Sequence, residues 1–90
     1  MKNNKQKTMI NFKKTQSHLK KIRKMVEGDE YCVDIMQQNL AVIGLLKSAH
    51  QMLMENHLNT CFKKAVESRQ KKRTQEMIEE ILKVTNLFNR

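Results

Sequence analysis

From Cys32 to Thr60 a seven-residue repeat runs unbroken by proline, which leaves room for little but a long helix with one face kept for another helix. Met36, Ile43, His50 and His57 form one series. Cys32, Asn39, Leu46, Leu53 and Thr60 form the other, with polar Asn39 and Thr60 interrupting it near the ends. A second stripe, Ala41, Leu45, Ala49 and Met52, offers a face to another helix of the same chain. The whole sequence has no proline and only two glycines, Gly28 and Gly44, so helices face few interruptions. The spacing predicts a helix from about Glu30 to about Glu67.

Two further helices complete an all-α reading. The first starts between Thr8 and Asn11 and carries Phe12, Thr15, Leu19, Ile22 and Val26 as its largely apolar stripe. Gly28 should close it as the C′ residue, and Asp29 should N-cap the next helix. The polar, basic stretch Ser68–Thr74 reads as a turn. A third helix then runs from about Thr74 to Phe88, with Ile78, Ile81, Leu82, Thr85 and Phe88 as its mainly apolar side. The reading is one domain over 1–90, with 1–8 a flexible basic tail.

His57 and Cys61 stand four apart, so on a helix they share a face and can hold one metal ion. Cys32 lies 25 residues before His57, roughly 37 Å along a straight helix at the α-helical rise, too far to complete that site from the same chain. A third ligand would come from a second, antiparallel copy, with a two-fold axis near residues 45–46. Gly44 beside that crossing would permit close backbone approach; as an ordinary helix glycine it fits equally well. Two thiolates and an imidazole suit Cu(I) or Zn(II), and three ligands without a fourth favour trigonal Cu(I). The same pattern also fits a packed seam with buried Cys and His, or a cysteine redox sensor. His50 reads as a packed seam histidine, His18 as a surface helix residue, and the methionines of the second helix as core.

Charge is unevenly placed. Residues 1–28 carry net +8, residues 29–62 net −3 and residues 63–90 net +4. Basic ends around an acidic middle point to a polyanion, with nucleic acid first and an anionic membrane surface second. Lys13, Lys14, Lys20, Lys21 and Lys24 fall opposite the apolar stripe of the first helix, and Lys47 adds a cation near the centre of the second. Only four aromatics occur, too few for base stacking, so duplex backbone contact fits better. No apolar run reaches membrane-spanning length and the N-terminal stretch has no apolar h-region, so a soluble cytoplasmic protein is expected.

The run Met25-Val26-Glu27-Gly28-Asp29-Glu30-Tyr31-Cys32-Val33-Asp34, with Glu55-Asn56-His57-Leu58-Asn59-Thr60-Cys61, resembles the copper-sensitive operon repressor family. The resemblance covers roughly residues 12–66, and the Cys–x24–His–x3–Cys pattern matches its copper-sensing branch. It implies an antiparallel four-helix-bundle homodimer that pairs into a homotetramer, binds operator double-stranded DNA when metal-free and releases it on Cu(I) binding. Cys32 of one protomer would coordinate Cu(I) with His57 and Cys61 of the other. A Tyr and a Glu behind the ligands correspond to Tyr31 and, on the third helix, Glu76. Where the family carries an Arg-rich R-I-E-G-Q-V segment, this chain has Lys14-Thr15-Gln16-Ser17-His18-Leu19. Lysine contacts phosphate as a point charge, so backbone and shape readout is expected.

The leading expectation is a Cu(I)-responsive repressor. A persulfide- or thiol-responsive repressor of the same fold is the alternative, against which His57 argues. From another class, a cytosolic copper buffer would carry the same ligands with a merely solvated basic face. With no catalytic constellation and no glycine-rich phosphate loop, an enzyme is not expected.

Overall fold

The computed structural model describes the backbone from Lys2 to Arg90 and the side chains from Asn4 onward. Every element among these residues is helical. They are α1 (Lys2–Glu27), α2 (Cys32–His57), a π-helical turn (Leu58–Phe62), α3 (Lys63–Glu67) and α4 (Lys71–Phe88). Helix α1 starts earlier than the sequence suggests. Met1 lies outside the described residues, but Lys2–Thr8, read above as tail, is helical, because nothing between them breaks a helix. Rather than one undivided domain over 1–90, the chain groups into two compact units, residues up to Glu55 and Asn56–Arg90.

In the first unit α1 and α2 run antiparallel. Thr8 lies against Met52, its Oγ1 3.8 Å from Sδ, and His18 Nε2 bonds Gln38 Oε1 at 2.6 Å. The face of α1 turned to α2 carries Thr8, Asn11, Thr15, His18, Ile22 and Met25, all buried or half-buried at alternating spacings of three and four. Facing them on α2 are Ile35, Gln38, Val42, Leu45, Ala49 and Met52. The buried threonines are satisfied locally, each hydroxyl donating to the carbonyl four residues back, Thr8 to Asn4 and Thr15 to Asn11.

This corrects two sequence assignments. Phe12, Leu19 and Val26 are 37%, 45% and 55% exposed, so only Thr15 and Ile22 of the expected stripe face α2. Val42 is buried where Ala41 was expected, while Leu45, Ala49 and Met52 hold their places. The rows involved are neighbours on each helix, and small side chains (Thr8, Thr15, Ala49) let the two backbones close on the more polar row. In an antiparallel pair of right-handed helices, the rows next clockwise from the two contact stripes lie on the same side. Met9, Phe12, Leu19 and Val26 of α1 therefore share a side with Met36, Ile43, Leu46 and Leu53 of α2, and all eight are exposed. A contiguous apolar face on that scale marks an interaction surface. His18, read as a surface residue, is instead half-buried and hydrogen-bonded across the helix pair.

The link to α2 is a Schellman turn. Asp29 N–H donates to Val26 O at 3.1 Å and Glu30 N–H to Met25 O at 3.1 Å, with Asp29 at φ 52°. Asp29 is therefore the C′ residue and Gly28 precedes it. The N-cap of α2 is Tyr31, whose carbonyl receives the amides of Asp34 (3.0 Å) and Ile35 (3.2 Å).

In the second unit the same turn recurs between α3 and α4. Arg69 takes φ 55°, its N–H donates to Val66 O, and Gln70 N–H donates to Ala65 O. Only Ser68–Gln70 form this turn, so α4 begins at Lys71 rather than Thr74. Ala65 and Met77 are buried, Thr74, Ile78 and Ile81 half-buried, and Leu82, Thr85 and Phe88 exposed.

Candidate metal centre

Cys32 is the first residue of α2, directly after the capping Tyr31, and its thiol is free and exposed. His57 is the last residue of α2 and is half-buried. Cys61, also free and exposed, falls in the π turn that follows. The three expected ligands thus stand at opposite ends of one helix, with His57 and Cys61 on successive residues of a single turn. Among the described residues of one chain, no three His, Cys, Asp or Glu side chains come together as a metal cage.

The π turn is the feature that sequence reading missed. Lys63 N–H donates to Leu58 O, five residues back instead of four. Thr60 Oγ1 donates to Asn56 O at 2.7 Å and lies 3.7 Å from Cys61 Sγ. A hydroxyl has one proton, so the short oxygen contact takes it and the sulfur is a near neighbour. A back-bonded threonine loosens the α-helical ladder at that carbonyl. The signal was present in Asn56, Asn59 and Thr60, three poor helix formers within five residues.

Cys61 lines a shallow cleft of about 330 Å³ with Lys64, Ala65, Gln70, Arg73 and Met77. Glu76 reaches this cleft only through Arg73, whose Nη1 is 3.3 Å from Glu76 Oε2 and 3.7 Å from Glu80 Oε1. These pairs are half-exposed and each contributes under about 1 kcal/mol. Tyr31 is 67% exposed beside Cys32.

Of the expected DNA-contacting lysines, Lys13, Lys14 and Lys21 line one cleft of about 610 Å³ with Ile10, Ser17, His18 and Leu45. Lys20 and Lys24 are exposed on α1 outside that cleft, and Lys47 is exposed on α2. His18 and Ser17, not singled out for this surface from the sequence, belong to its wall.

An all-helical chain with cysteine and histidine at the two ends of its long helix, and lysines along its first, has the make-up of a metal-responsive DNA-binding protein. The chain belongs to the metal-sensitive transcriptional repressor family, which it matches over residues 4–86. It is similar to the copper-sensing transcriptional repressor CsoR of Mycobacterium ulcerans (strain Agy99), at 46% identity over 55 residues, 61% of this chain and 47% of that protein. CsoR of Bacillus subtilis (strain 168) is 37% identical over 57 residues, 63% of this chain and 56% of that protein. The match thus spans about half the length of these curated relatives. Among solved structures, the copper-sensing repressor CsoR with Cu(I) from Geobacillus thermodenitrificans NG80-2 superposes with a TM-score of 0.85 at 27% identity, covering 100% of this chain and 91% of that one.

Proposed function

We propose that this chain is a Cu(I)-responsive transcriptional repressor that holds operator double-stranded DNA when metal-free and lets it go when Cu(I) binds. The observation that carries the reading is the placement of two free thiols and an imidazole at opposite ends of α2. An antiparallel second copy brings Cys32 of one protomer to His57 and Cys61 of the other. The donor set fits: soft sulfurs and one imidazole are the ligands Cu(I) prefers, and three suffice. Bound there, Cu(I) supplies a cross-link between the start of one long helix and the end of its partner's.

The apolar side of the α1–α2 pair is the surface that a second copy covers, giving the four-helix-bundle homodimer. Pairing of dimers into a homotetramer follows from the family likeness. Lys13, Lys14 and Lys21 around their cleft, with Lys20, Lys24 and Lys47, face the phosphate backbone. Such contacts make binding strongly salt-dependent, a property a copper buffer lacks. No helix of the described residues is long and apolar enough to cross a membrane, and a repressor works where the chromosome is, in the cytoplasm. The protein has no catalytic role in this account.

Metal binding can shift the assembly only through a difference in affinity between the DNA-bound and free forms. A coupling of about 1–3 kcal/mol lowers DNA affinity roughly 5–150-fold. His57 is the residue placed to carry it. It closes α2, and its second ring nitrogen can take a new hydrogen-bond partner once the first is engaged. Tyr31 and Glu76 support the ligands from the start of α2 and from α4. A His57 variant that still binds Cu(I) tightly and still releases DNA in full would remove His57 from that role.

The test is fluorescence anisotropy on the upstream DNA, anaerobic and reduced, with and without one Cu(I) per protomer. Tight metal-free binding that is lost with Cu(I) supports the repressor. The exposure of both thiols favours one competing reading, a persulfide- or thiol-responsive repressor. Release by a persulfide and indifference to Cu(I) would establish it, whereas no DNA binding in any state would defeat both.

A further inference from the structure

We propose that the π turn Leu58–Phe62 is a register device, braced by Thr60, that places Cys61 for pairing with Cys32 of the partner subunit. The inference rests on the shared metal site proposed above. By residue count, the seam positions alternate three and four apart through Leu53 and His57, and the next is residue 60. Cys61 is one residue late. A π turn winds one more residue between bonded groups than an α turn, and the Lys63-to-Leu58 bond puts that extra residue between His57 and α3. After it, Cys61 takes the place residue 60 would hold in an uninterrupted α-helix. The Thr60 hydroxyl holds the turn by donating to the Asn56 carbonyl at 2.7 Å, so Thr60 is a positioning residue that touches no ligand electron pair itself. The device explains how a ligand outside the seven-residue repeat comes to serve a seam built on that repeat.

Two variants separate this from an incidental irregularity. Combining Asn59→Ala with Thr60→Ala removes the brace and raises α-helix propensity, so the turn reverts to α and Cys61 leaves the seam. Deleting Asn59 from the otherwise intact chain removes the extra residue and leaves the cysteine on the seam of a plain α-helix. Copper K-edge absorption on the full chain reads the number of Cu–S bonds, and competition with a Cu(I) chelator reads affinity.

The expected result is two Cu–S bonds in the unaltered protein, one in the double-alanine variant with about 10–100-fold weaker binding, and two again in the deletion variant. Thr60→Ser, which keeps the hydroxyl, should retain both sulfurs. Two sulfurs and unchanged affinity in the double-alanine variant, with helicity intact by circular dichroism, would overturn the register device while leaving the metal site standing. An unaltered protein that binds no Cu(I) would bring down the metal site and this inference with it.

Discussion

The two ends of α2 hold their ligands in different ways. Cys32 opens a regular helix, one residue after the Tyr31 cap, where the Schellman turn at Asp29 fixes the approach of the chain. His57 and Cys61 straddle a change of helix type, with a threonine hydroxyl in the ladder. The start is a position set by ordinary capping. The end is a position set by a departure from the α-helical count, so it can change with a small shift in hydrogen bonding. In the proposed dimer each site joins one fixed end to one adjustable end, which is what a sensor needs if binding is to alter shape.

The largest effect that can break this comparison comes from separating the two copies. Ile43→Asp puts a charge in the middle of the exposed apolar face. An unpaired buried charge costs about 3–5 kcal/mol, so the variant should sediment as the 10.7 kDa chain and lose Cu(I) binding at both ends of α2 together. Retained binding by a monomer would mean that the two ends do not depend on each other.

Gly44→Ala sharpens the account of how the copies cross. An added Cβ meets nothing within 4 Å in the single chain, so alanine should raise helix stability by about 1 kcal/mol in urea unfolding. A loss of dimer affinity instead would place a close backbone approach at Gly44 between copies. The smallest effect concerns the second of the two matching turns. Arg69 has a side chain at φ 55°, a region that costs about 1–2 kcal/mol for residues with a Cβ. Glycine removes that strain but adds about 0.5–1 kcal/mol of chain entropy. Arg69→Gly should therefore stabilise the chain by up to about 1 kcal/mol in thermal unfolding, with Cu(I) binding unchanged. Destabilisation would show that the arginine side chain itself holds the turn.

The long helix was legible in the sequence because its period is carried by residues whose identity matters: Met36, Ile43, Leu46 and Leu53 repeat, and nothing between them breaks a helix. The second face of α2 was legible for the same reason, apart from Val42 standing in for Ala41. The face of α1 was not. Thr8, Asn11, Thr15 and His18 are polar, and their burial depends on bonds that periodicity does not register: threonine hydroxyls to carbonyls four residues back, and His18 to Gln38. The apolar row beside them reads as core from the sequence, yet the α1–α2 pair leaves it uncovered.

The turns were placed but misassigned by one residue, because Asp29 and Arg69 take the left-handed conformation usually given to glycine. Cys32, His57 and Cys61 stood out by residue type and spacing. The change of helix type between His57 and α3 did not, since neither proline nor glycine marks it. The lysines could be listed from the sequence, but the cleft that gathers Lys13, Lys14 and Lys21 with His18 needed the packing of α1 on α2.

The most direct test of the central claim, that each site is shared between two copies, is complementation. Cys32→Ala and Cys61→Ala chains are prepared separately, then unfolded and refolded together, and Cu(I) uptake is measured by chelator competition. Each variant alone should bind no Cu(I) tightly. The mixture should recover one tight site per mixed dimer, built from the intact Cys32 of one chain and the intact His57 and Cys61 of the other. If mixed dimers form and recover none, or if either variant alone binds a full complement, the ligands are not divided between copies and the account fails.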